Sequence, residues 1–309
     1  FKLILYLVNN ISQDYERNND FFDKLEKLLI DLRENIRKYL ENDEIYHIFR
    51  YNKRILLFLF TNKMIEIDQY IIKHIKEQDL NYFFIEIEPF IDEKLKNKLE
   101  EENKNYVIKS AEYDLNRKKG VNEQNICEMI RNDDIDIFIS HLKQTDLSLK
   151  TKIESSIFET NLFLQNHKNE ITLIEYSVFY GSVQIFKYLH KNGVELTPPL
   201  WIYAIHGRNP EIFHILKENN IDPPNKSYKE CIIEAIKCHH NEIVEYIINN
   251  IQNEIKNYNQ LIVTTSIDYY NFYFLNAENL YKSENFYKFC KFDYLFLVKQ
   301  FLKNKNIDI

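Results

Sequence analysis

Nine histidines and four cysteines are the residues best suited to chemistry in this chain. Cys238, His239 and His240 are consecutive and of zinc-binding types. Neighbours on a helix point about 100° apart, so three in a row cannot converge on one ion. His206 and His214 are eight residues apart, with no carboxylate arranged between them. No histidine pair has the HExxH spacing of a helix-borne metal site. Both are therefore expected at a surface or an interface. Cys127, Cys231, Cys238 and Cys290 contain no CxxC pair and are expected as reduced, mostly buried thiols. Neither GxSxG, a catalytic Cys-His signature nor a kinase motif occurs. With only 4 glycines there is no GxGxxG or GxxxxGK[ST] phosphate loop. Among 47 acidic residues, paired carboxylates carry no specificity. The expectation is a protein that is not an enzyme, with no catalytic residue, no cofactor and no metal.

Charge and targeting signals narrow the field further. The 40 basic and 47 acidic residues leave a net charge of -7. A nonspecific nucleic-acid binder is usually basic, so a nucleic-acid partner is not expected. The longest basic cluster, Arg117-Lys118-Lys119 before Gly120, reads as a solvated loop. Glu86 and Glu88 before Pro89 read as a helix-start cluster. The apolar start FKLILYLV is not followed by a small-residue cleavage site. Ile55 to Phe60 is far shorter than the ~20 residues that span a bilayer. No membrane span and a cytoplasmic location are expected. Phe1 reads as a cut inside a longer protein.

The elements that must position any site read as helices. Phe22, Leu25, Leu28, Leu29, Leu32, Ile36 and Leu40 form one apolar stripe behind an Asn19/Asp20 cap. Met64 to Ile75 and Phe90 to Leu99 follow as helices, the latter behind Pro89. Ile55 to Phe60 is a buried helix or strand, and periodicity leaves both open.

After Gly120 the sequence becomes periodic. Sliding Ile171 to Leu196 by 27, 58, 85 and 112 residues aligns five copies. The first column holds Ser177, Ala204, Ala235, Ile262 and Phe289, and the next Val178, Ile205, Ile236, Val263 and Cys290. Further on lie Ile185, Ile212, Ile243, Tyr270 and Leu297, then Leu189, Leu216, Ile247, Phe274 and Phe301. Ile130, Phe138 and Leu142 give a weaker match upstream. Each copy encodes two short helices, too small to bury an apolar face alone, so neighbours must stack. Trp201 falls in an apolar column with Ile174, Ile232 and Phe286 and is expected in the core. The copy at Ile262 fits least well, which predicts a looser interface around 255–285. Asn271 there stands where an aliphatic is usual, so Asn271→Val is expected to be neutral or stabilising.

Thr172-Leu173-Ile174-Glu175-Tyr176-Ser177-Val178-Phe179-Tyr180-Gly181 resembles the ankyrin pattern T-P-L-H-x-A-A-x-x-G. Ile185 to Val194, which includes Gly193, resembles its continuation I-V-x-x-L-L-x-x-G-A. The last copy, from Cys290 to Leu302, is similar, with Asp293 in place of glycine. The glycine column otherwise holds Arg208, His239 and Ser266. The spacing is shorter than the usual ~33 residues, so β-hairpin fingers are expected to be shortened or missing in several units. With Phe83-Phe84-Ile85-Glu86-Ile87-Glu88-Pro89-Phe90, the whole is similar to a group of divergent ankyrin-like proteins of unknown function, numerous in some protist genomes.

This resemblance implies an all-α, ankyrin-like helical-hairpin solenoid with an irregular N-terminal helical region. That region is 1–120. Repeats occupy 121–309, with units near 125–146, 171–196, 198–222, 228–251, 257–276 and 284–309, as one continuous solenoid with further repeats expected beyond Ile309. It also implies noncatalytic binding of a protein ligand, as an adaptor or scaffold. The matching positions in ankyrin proteins line a concave groove, here Phe179, Tyr180, His206, Lys237, Lys291 and Phe292. Whether Phe179 is exposed there or buried by irregular stacking is left open. The alternative is a regulatory or targeting domain of a larger enzyme whose catalytic part lies outside this chain.

Overall fold

The computed structural model describes residues 2–14, 19–102, 110–167, 170–250 and 255–304. Among them all regular structure is helical, without a strand, in keeping with the all-α expectation. No helix of the described residues is long and apolar enough to cross a membrane. The end of the unit expected at 284–309 lies partly outside the described residues.

The first helices are α1 (Lys2–Asp14), α2 (Asn19–Asp31), α3 (Arg33–Tyr39), α4 (Asn42–Phe49), α5 (Lys53–Thr61) and α6 (Gln69–Gln78). They are followed by α7 (Phe84–Ile87), α8 (Glu93–Glu102), α9 (Ala111–Lys119), α10 (Asn125–Arg131), α11 (Ile135–Thr145) and α12 (Leu162–Asn166). The chain forms two compact units. One comprises Phe1–Lys2, Glu16–Glu128 and Lys152–Ile171; the other comprises Leu3–Tyr15, Met129–Thr151 and Thr172–Ile309.

In the first unit, caps decide what periodicity could not. Asn52 accepts from the Ile55 backbone N–H at 3.3 Å, which starts α5 and makes Ile55 to Phe60 a buried helix. Asp68 caps α6 through Ile71 at 2.9 Å, so the helix expected from Met64 begins at Gln69. The stripe from Phe22 to Leu40 is divided between α2 and α3 at Leu32. Pro89 sits in a 3-10 turn, and the following helix starts beyond Asp92, which accepts from Leu95 N–H at 2.8 Å.

The Arg117 cluster is not a solvated loop. It forms the last turn of α9 before left-handed Gly120. Arg117 itself is buried and pairs with Glu86 at 2.7 Å and with Asp114. Burial opposes its charge, but the Glu86 and Asp114 carboxylates together outweigh this and raise its pKa. Glu86 is thus an ion-pair partner rather than only a helix-start acid.

The second unit adds α13 (Leu173–Phe179), α14 (Val183–Lys191), α15 (Leu200–Gly207), α16 (Pro210–Glu218) and α17 (Lys229–Lys237). Then come α18 (Asn241–Asn250), α19 (Ile255–Asp268), α20 (Ala277–Leu280), α21 (Ser283–Lys291) and α22 (Leu295–Asn304). Helices α13, α15, α17, α19 and α21 pack in succession, each on the next. Helices α14, α16, α18 and α22 pack back on their own partners. Thr172 and Glu175 close a capping box at the start of the row. Trp201 is buried, as its column predicts, and its indole N–H donates to the Ile221 carbonyl at 2.8 Å.

One junction recurs along this row. Gly181, Arg208, His239, Tyr270 and Asp293 all have positive φ, between 51° and 69°. The residue after each reaches back to a carbonyl of the preceding unit. Ser182 donates to Ile130, Asn209 to Gly181 at 2.9 Å and His240 Nδ1 to Ile205 at 2.9 Å. Asn271 donates to Ile236 at 3.0 Å and Tyr294 to Ile267 at 2.7 Å. These bonds reach carbonyls at the helix ends, of which Ile130, Ile236 and Ile267 also accept a turn N–H.

The fourth copy is corrected by this geometry. Its left-handed residue is Tyr270, not Ser266. The alignment slipped by four residues, about one helical turn, which leaves apolar residues on the same face. In the true register the small column reads Ser177, Ala204, Ala235 and Ser266, all buried. The second helix of that copy is also missing, because the chain makes only a 3-10 turn at Phe272–Phe274 before α20. Helix α1 instead brings Leu3, Tyr6 and Leu7 against Val263, Ile267, Tyr270, Phe289 and Tyr294. Tyr6 stacks on Tyr270 with ring centroids 5.9 Å apart.

Candidate functional site

The candidate groove positions lie one or two residues before the left-handed junctions at Gly181, Arg208, His239 and Asp293. The structure brings the first four into one region. Phe179 is buried and stacks on His206, ring centroids 4.6 Å apart. Tyr180 is half-buried beside Tyr176, and Arg131 lies over its ring while donating to the Tyr176 hydroxyl at 2.9 Å. The His206 side chain is 3% exposed, and its Nε2 donates to Glu234 Oε1 at 3.0 Å. A carboxylate only accepts, so this bond fixes Nε2 as the protonated nitrogen. The Lys237 ammonium donates to the same oxygen at 3.3 Å.

Cys238, one helical turn after Glu234, completes the cluster. It is fully buried, with its sulfur 3.7 Å from His206 Nδ1 and 3.9 Å from Glu234 Oε1. Burial alone would raise the Glu234 carboxyl, but His206 and Lys237 together hold it down at about 2. It is therefore ionised at any ordinary pH. His240 is bonded instead to the Ile205 carbonyl. Burial, with Arg208 and His206 adding to it, pushes its pKa down to about 3 and keeps the ring neutral on the Ile205 carbonyl.

Lys291 and Phe292 lie at the end of α21, two helices further along the row. Lys291 is exposed, with its ammonium 5.1 Å from the centre of the Phe292 ring. Phe292 is half-buried against Tyr270 and Tyr294. They are not part of the Phe179–Cys238 cluster.

Sequence reasoning missed Glu234 as the hub of this cluster, and judged Cys238 only against its chain neighbours. A legible signal existed. Glu234 and Cys238 are four apart on one helix face, and the 31-residue repeat between Arg208 and His239 sets that face against His206. Cys238, His206 and Glu234 have the order of nucleophile, base and orienting carboxylate. The thiol is fully buried, however, and offers no open face to a substrate.

The first unit contains a cavity of about 340 Å³ lined in part by Lys53, Asp79, Tyr82 and Ser156. Lys53 is buried there, 3.6 Å from Asp79, and donates to the Ile157 carbonyl at 3.3 Å. Its charge is thus compensated within the fold. Comparison of the chain with protein-family models, curated proteins and solved structures finds no match.

Proposed function

We propose that the second unit is a divergent ankyrin-like helical-hairpin solenoid, and that the chain is a noncatalytic, cytoplasmic adaptor that binds a protein ligand. The ligand lies along the face formed by the residues before each junction. The observation that carries this reading is the recurrence of one junction along five packed helices. Such a row presents equivalent side chains at regular intervals, which suits an extended protein surface better than a small molecule. The aromatic side chains of Tyr180 and Phe292 are of the types enriched at protein interfaces, and Lys291 adds a cation beside Phe292. Phe179 and His206, by contrast, hold the face in shape from within.

The test uses the intact chain to capture a partner from native lysate and compares it with Tyr180→Ala/Lys291→Ala. Affinity for the captured protein is expected to fall at least about tenfold, roughly 1.4 kcal/mol, with the melting temperature unchanged. Unchanged affinity, or a loss that tracks a falling melting temperature, overturns the groove assignment. A nucleic-acid ligand would instead reveal itself by binding that collapses steeply with salt.

A further inference from the structure

Where α15 meets α17, three donors of different chemistry converge. They are the His206 imidazole, the Glu234 carboxylate and the Cys238 thiol, with ligand atoms all within 4.8 Å of one another. We propose that His206, Glu234 and Cys238 hold a divalent zinc ion that staples these two helices together. Tetrahedral zinc, with bonds of about 2.3 Å to sulfur and 2.0 Å to nitrogen, separates the two donors by about 3.6 Å. His206 Nε2 and Glu234 Oε1 stand 3.0 Å apart, and that oxygen lies 3.9 Å from the sulfur. The Cys238 sulfur lies against the same ring, 3.7 Å from Nδ1, and the three donors are close enough for side-chain rotation to reach that spacing. The ion takes the place of the proton between His206 Nε2 and Glu234 Oε1, and the ring then carries its proton on Nδ1. The thiol loses its proton to solvent as the sulfur–metal bond forms.

The donor set selects the ion. A thiolate with an imidazole disfavours calcium and magnesium, which take oxygen ligands, and one carboxylate completes a three-donor site with a fourth position open. Lys237 is the competitor. Its ammonium shares Glu234 Oε1, so the cation must displace it, and its partly exposed side chain leaves it room to swing outward.

Cobalt(II) added to the reduced, chelator-treated chain is the probe. A thiolate-to-cobalt charge-transfer band and strong four-coordinate visible bands are expected, saturating at one ion per chain and displaced by zinc. Cys238→Ser should abolish the charge-transfer band, and His206→Ala or Glu234→Gln should weaken binding about tenfold or more. Cys290→Ser, at the exposed thiol, should keep the band. Lys237→Gln should bind more tightly, because it removes the competing charge. Zinc should raise the melting temperature of the native chain but not of Cys238→Ser. The proposal fails if no band appears, if the band survives Cys238→Ser or is lost in Cys290→Ser, or if Lys237→Gln weakens binding. Should Cys238→Ser not fold, the Cys290→Ser and Lys237→Gln titrations decide it alone.

Discussion

Asn271 is buried with its side chain donating to the Ile236 carbonyl at 3.0 Å and to Asn241 Oδ1 at 2.7 Å, and it caps the turn at Tyr273. Valine can make none of these bonds. Asn271→Val is therefore expected to destabilise the protein by about 1–3 kcal/mol, read as a lower denaturant midpoint at unchanged slope. The repeat alignment implies the opposite sign, because it places Asn271 in an aliphatic position rather than at a junction. An unchanged or raised midpoint would show that the junction bonds contribute little. The thiols give a second test at this scale. Cys127, Cys231 and Cys238 are buried and Cys290 is exposed, and burial pushes the Cys231 thiol up to about 12. An alkylating reagent should label Cys290 in the folded chain and reach the other three only on unfolding. Early labelling of Cys231 would contradict its burial.

Between elements, the tightest contact is that of α13 with α15. A Cβ added at Gly207 would lie 2.1 Å from the Val178 carbonyl oxygen and 2.8 Å from the Gly181 nitrogen. Backbone atoms cannot move aside as a side chain would, so Gly207→Ala should cost about 1–3 kcal/mol or more by forcing the two helices apart. Gly193 ends α14 with φ of +87° and nothing within 4 Å of the added carbon. Gly193→Ala should cost only the left-handed conformation, about 1–2 kcal/mol. Thermal melting of the two variants would rank them, and a Gly207→Ala no worse than Gly193→Ala would sink the argument. The same scale accounts for the Arg117 ion pair. Removing its charge leaves Glu86 poorly compensated in a largely buried setting, so Arg117→Met should destabilise the first unit by about 3–5 kcal/mol. Chemical denaturation would measure it.

At the scale of the molecule, the chain does not build its second unit in sequence order. Helix α1, from the N-terminus, packs on the cluster of α19, Tyr270, Phe289 and Tyr294, where the local chain forms only a 3-10 turn. The sequence-based expectation of a loose interface at 255–285 overlooks this partner. Tyr6→Ala removes the stack on Tyr270. Native-state hydrogen exchange should then quicken in α19 and α21 while α13 to α16 keep their protection, as expected when each layer is supported only by its neighbours. Uniform acceleration across the unit, or none in α19, would count against α1 as the supporting layer.

Composition and apolar spacing determined the helical class, because a helix records its buried face locally, every three to four residues. The recurrence of Ser177, Ala204 and Ala235 likewise made the stacked copies legible. The fourth copy was misaligned because a shift of one turn preserves that same face. Only the tertiary structure, through the positive φ of Tyr270 and the bond from Asn271 to Ile236, distinguishes the two registers. Other long-range pairings were invisible for a different reason. Arg117 with Glu86 and α1 with α19 join residues whose types suggest nothing at their own positions. Charge, thiol and imidazole acquire meaning from burial and from what faces them, and both are set by how separate helices pack.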